Sequence, residues 1–146
     1  MSKSNGLENQ MLEHILNNAA ITLIGDAGGL LPSVAAGDLY LSMLTADPAD
    51  ADDQTTSETT YTGYARMAIA RDGTGWTVTG NSASPQADTD FPEATASPGG
   101  PLTFFGVGTA SSGVGKQLYA GALTPNITMA VNTIPRLKTT STITEN

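Results

Sequence analysis

Two of the chain's three arginines, Arg66 and Arg71, stand five residues apart in "GYARMAIARDGTGW", beside its only tryptophan, Trp76. Such a pair raises the question of a ligand-binding or catalytic site. The local pattern argues otherwise. Alternation in "YARMAIA" puts Arg66 on one face with Tyr64, Ala68 and Ala70, opposite Ala65, Met67 and Ile69. Arg71 falls at a turn. With fourteen acidic residues against six basic ones, a structural ion pair is the expected fate of these arginines.

The acidic groups receive the same test. Asp47, Asp50, Asp52 and Asp53 lie within seven residues, with Glu58 close behind. A calcium loop wants alternating acids and a glycine at its sharp turn. Asp50 and Asp52 alternate, but no glycine follows them, so the segment reads as a solvated acidic loop. The stretch "ASSGVGK" imitates a phosphate-binding loop. Ala110, however, stands where the first glycine belongs, and Gln117 where a serine or threonine must hold magnesium. The following "KQLYAGAL" reads as a strand, whereas phosphate needs a helix N-terminus there. His14 is the only histidine, and no G-x-S-x-G elbow is present. The expectation is a protein that is not an enzyme, with no catalytic, cofactor or metal residue.

Composition narrows the partners. Charged residues make up only 14% of the 146, and the net charge is -8. An acidic chain is a poor match for nucleic acid, whose binding rests on neutralising phosphates. Cysteine is absent, which removes disulfides and thiolate zinc sites. No apolar run approaches a membrane span, and "MSKSNGLENQ" lacks a signal-peptide core. Synthesis in a cytoplasm and a protein partner are expected.

The elements follow from periodicity. Leu7, Met11, Leu12, Ile15 and Leu16 form one helical stripe, with Asn5 and Glu8 at capping-box spacing and Asn17-Asn18 as a stop. Residues 19–37 read as an irregular loop with at most a short strand. "DLYLSML", "YARMAIA", "GWTVTG", "LTFFGVG", "KQLYAGAL", "NITMAV" and "TTSTIT" then read as strands, with "RDGTG" as a hairpin turn and 80–101 as turn-rich. Trp76 and at least one of Phe104 and Phe105 are expected in the core. About eight short strands predict a mainly β single domain, an antiparallel β-sandwich or jelly roll with a short N-terminal helix. Residues 1–18 would pack on or beside a sandwich formed by 19–146.

Several segments in order, "NGLENQMLEHIL", "GDLYLSMLTADPAD", "TGYARMAIA", "FPEATA", "LTFFGV" and "LYAGALTP", resemble a family of small β-sandwich virion proteins of tailed bacteriophages. Its members are described both as head decoration and as tail-fibre proteins. The resemblance implies a capsid decoration, or cement, protein on the outside of the head. The implied partners are the major capsid protein and two further copies of itself in a homotrimer, without nucleic acid, membrane or cofactor. A tail or tail-fibre component is the alternative, and a carbohydrate-binding host-attachment module the second. On this resemblance Arg66 is a packing or interface residue.

Overall fold

One helix opens the chain and nine short strands follow it in the computed structural model, which describes residues 2–145. Helix α1 spans Asn5–Asn17. Its cap is Ser4 rather than Asn5: the Ser4 hydroxyl accepts from the Leu7 N–H at 3.3 Å, and its carbonyl accepts from Glu8 at 3.0 Å. The capping-box spacing was therefore one residue out of phase. Asn18 ends the helix in the left-handed region at φ 55°, where the Ala19 N–H returns to the Glu13 carbonyl. Asparagine tolerates that conformation better than most residues. Leu12 and Leu16 of the predicted stripe are fully buried.

The strands are β1 (Asp38–Leu44), β2 (Met67–Ala70), β3 (Trp76–Thr79), β4 (Ser82–Pro85) and β5 (Thr89–Asp90). They continue with β6 (Leu102–Gly108), β7 (Gln117–Ile127), β8 (Arg136–Leu137) and β9 (Ile143–Thr144). Among the described residues they form three open sheets, ordered β2-β1-β6-β7, β3-β4-β9 and β5-β8. The mainly β expectation holds, but the sandwich or jelly roll does not form as a closed pair of sheets. The reason is strand length. β5, β8 and β9 are two residues each, and "NITMAV" contributes no strand beyond Ile127.

The chain divides into two compact units. The first joins the chain up to Asp38 with Ala70–Ala87 and the chain from Lys138. Here α1 packs against β3 and β4, and Trp76 is 1% exposed. β3 and β4 form a hairpin around Gly80-Asn81, with Gly80 at φ 61° and Trp76 paired to Pro85. "RDGTG" makes no hairpin, because β2 pairs with β1 and β3 with β4. Asp72 instead caps its own loop, accepting from the Thr74 N–H at 2.8 Å, and this redirects the chain.

The second unit, Leu39–Ile69 with Asp88–Leu137, is built on the four-stranded sheet. β1 is central, so Leu41, Ser42, Met43 and Leu44 are all buried although they point alternately to both faces. It runs antiparallel to β6, with Ser42 opposite Gly106 and Met43 opposite Phe105. Phe105 is buried and Phe104 is half-buried.

Candidate functional site

The most connected polar group in the second unit is Arg66, which lies just before β2 and is buried. Its guanidinium forks onto Glu58, Nε donating to Oε1 and Nη2 to Oε2, each at 2.7 Å. Its remaining reach goes to a loop. Nη1 donates to the Ala110 carbonyl and Nη2 to the Gly113 carbonyl, both at 2.9 Å. The Tyr64 hydroxyl completes the group, donating to Glu58 Oε1 at 2.7 Å and accepting from the Met43 N–H at 3.3 Å. Bidentate arginine–carboxylate pairs of this kind are among the stronger polar contacts and fix both partners in one plane.

Electrostatics follow the geometry. The hydrogen bond from Arg66 to Glu58 raises the guanidinium further above its ordinary range, against the opposing effect of burial. The Tyr64 hydroxyl is pushed well above the tyrosine range, by burial first and by its bond to the Glu58 carboxylate second. Tyr61 donates to the Pro92 carbonyl at 2.7 Å, and burial pushes its hydroxyl up to about 12. The two rings meet edge to face at 5.2 Å, and Tyr64 stacks on Phe91 at 6.4 Å.

Gln54 holds the same loop from the other side. It is fully buried, its N–H donates to the Gly115 carbonyl at 2.9 Å, and its Oε1 accepts from the Ala110 N–H at 2.8 Å. A Cβ on Gly108 or Gly115 would stand 2.1 Å from the Gln54 side chain, so a larger residue at either position would displace Gln54 from the loop. Arg66 and Gln54 thus clamp residues 109–116, leaving a shallow cleft lined by Glu58, Tyr64, Arg66, Ser111, Ser112 and Gly113.

That cleft is a structural clamp. The arginine's hydrogens are directed at protein acceptors, so it has little left to offer an anion. Ser111 and Ser112 are exposed, and the lining supplies no histidine to activate them. The phosphate-loop look-alike is inverted: the carbonyls of Ala110 and Gly113 turn onto Arg66, where a phosphate loop presents N–H groups to its ligand. The acidic loop also folds back on itself. Asp47 Oδ1 accepts from the Ala49 N–H and Asp53 Oδ1 from the Thr55 N–H, each at 2.8 Å. Among the described residues, no three acids or histidines converge as metal ligands. No helix among them is long and apolar enough to cross a membrane.

The other sequence candidates do not line this cleft. Arg71 belongs to the first unit and is no idle turn residue. Its Nε donates to the Ile15 carbonyl at 2.6 Å, Nη2 to the His14 carbonyl at 2.5 Å, and Nη1 to Asn18 Oδ1 at 2.8 Å. It satisfies carbonyls that a helix C-terminus leaves without intrahelical partners. His14 pairs its Nδ1 with the Ala19 carbonyl at 2.7 Å. Arg136 forms an exposed pair with Asp90, Nη2 to Oδ2 at 2.7 Å. Sequence reasoning missed Gln54 and Tyr64 as members of the clamp. The only available signal was the crowding of glycines in "FFGVGTASSGVG", which marks close approach of backbone to something.

No match to a curated protein is found for the chain. The family model described as podophage GP4 fiber I protein gp80 matches residues 2–144, and the chain belongs to that family of bacteriophage virion structural proteins.

Proposed function

We propose that this protein is a tail or tail-fibre component of the virion, acting by rigid display of surface to neighbouring subunits and not by catalysis. The observation that carries this reading is the near full-length match to a family described as a fiber protein. The clamp supports it, because the buried arginine directs its N–H groups at Glu58 and at the carbonyls of a loop and not at a ligand. Head decoration, with the major capsid protein as partner and a homotrimer as the unit, is the second reading; the family description favours the fibre. A glycan-binding module is the weakest. Sugar platforms need exposed rings, and every aromatic side chain here is buried or half-buried.

Virions deleted for this protein test the assignment. On the fibre reading, deletion particles hold their DNA on heating like wild type but fail to adsorb to cells. Early loss of DNA, restored when purified protein is added back, would move the protein to the head.

A further inference from the structure

The segment from Ile21 to Val34 in the first unit contradicts the ordinary behaviour of loops. Leu23 is 81% exposed and Leu31 73%, Val34 is fully exposed, and Ile24 and Leu30 are exposed too. Together they present apolar surface on the order of several hundred Å², at the upper end of what a monomer shows to water.

The segment is also held in place. Ile21 and Leu30 exchange both backbone hydrogen bonds, at 3.0 and 2.8 Å, with Ile21 itself buried. Asp26 Oδ1 closes the tip by accepting from Gly28 at 2.8 Å and Gly29 at 2.9 Å. Asn18 receives the Ser33 N–H at 2.8 Å and returns its own amide to the Ser33 carbonyl at 2.9 Å, and Arg71 grips Asn18. Apolar groups fixed in advance lose less freedom on association than groups on a mobile loop.

We infer that this loop is a self-association surface, and that its occupant is the same loop of a second copy of the chain. Charge selects the partner. The chain carries a net -8, so two copies repel one another on average. Residues 19–37 carry a single charge, Asp26, and its Oδ1 is engaged by two backbone N–H groups. Two copies meet here with one carboxylate on each side. A symmetric contact uses the same patch twice, and this one supplies much of the roughly 800 Å² that each partner of a standard interface buries. A bilayer fits less well, because the segment has no Lys, Arg, Trp or Tyr to sit among headgroups.

The inference deepens the reading of the chain as an assembling virion protein and rests on it, but its test uses purified full-length protein. Sedimentation velocity over a concentration series is expected to show wild type passing from monomer to a dimer or higher oligomer. The double variant Leu31→Glu/Val34→Glu is expected to associate at least tenfold more weakly with an unchanged melting temperature, and Leu23→Glu to weaken association independently. Val114→Glu, at an exposed valine of the second unit, leaves it unchanged. Wild type that stays monomeric throughout, or a double variant that associates like wild type, overturns the inference. So does monomeric protein that instead floats with phosphatidylcholine–phosphatidylglycerol vesicles. Monomeric protein in virions that still need it for adsorption defeats only this inference, and an adsorption-competent deletion virion defeats only the fibre reading.

Discussion

Arg66 and Glu58 illustrate how a charge can be buried safely: every contact of the pair is made inside the chain, with side-chain exposures of 2% and 15%. Removing one partner leaves the other uncompensated. Glu58→Ala is therefore expected to cost about 3 kcal/mol, as removal of one member of a buried pair does, read from urea unfolding. Arg66→Met should in addition speed hydrogen exchange in residues 109–116, because the Ala110 and Gly113 carbonyls lose their donor. An unchanged unfolding midpoint for Glu58→Ala would show that the clamp carries no stability. The tyrosines give a pH prediction. The folded-state hydroxyls of Tyr61 and Tyr64 titrate above the unfolded value of 10.0, Tyr61 at about 12. Their neutral forms are favoured by folding, so that stabilisation is complete below the unfolded value and declines as pH rises from there through the folded one. Spectrophotometric titration should find Tyr61 and Tyr64 ionising above the ordinary tyrosine range, with stability falling over the same alkaline window. Ionisation of both near 10.0 in the native protein would contradict their shielding from water.

Elements were legible where one period dominated. The stripe of α1 and the strands β1 and β6 stand out because their apolar residues repeat cleanly and their neighbours are turn formers. β4 was hidden, since "SASP" has almost no hydrophobic signal and becomes a strand only by pairing across Gly80-Asn81 with Trp76–Thr79. Gly-Asn is a two-residue hairpin signal, and it competed with the stronger-looking Asp72-Gly73. Sheet order was not legible at all, because it depends on contacts far apart in sequence. The same holds for the clamp: Gln54, Glu58 and Ala110 are joined by folding and by no local pattern. Arg71 shows the point from the other side, since its turn position hid its partners at the end of α1. Arg71→Lys should destabilise the first unit by about 1 kcal/mol, because an ammonium cannot reproduce the planar fork that reaches several acceptors. Retention of wild-type stability would mean that charge alone suffices there. Trp76→Ala should cost roughly 3 to 5 kcal/mol, the usual range for a large buried side chain. A variant as stable as wild type in thermal unfolding would remove Trp76 from the core.

At the scale of the whole molecule, the properties point one way. The described strands make open sheets in two compact units, buried Arg66 and Gln54 brace one loop, and no three acids or histidines converge as metal ligands among the described residues. A protein built like this contributes shape and surface. Open sheets and an exposed apolar loop also leave surface to be covered by neighbours, which suits a part that works only in an assembly. The assembly proposed for it is the tail and not the head shell. The most direct test is the number of copies per purified virion, measured by quantitative mass spectrometry against the major capsid protein. A fibre component is predicted to be present in few copies, a small fraction of the capsid protein. A count of hundreds, in fixed proportion to the capsid lattice, would rule out a fibre component and place the protein on the head.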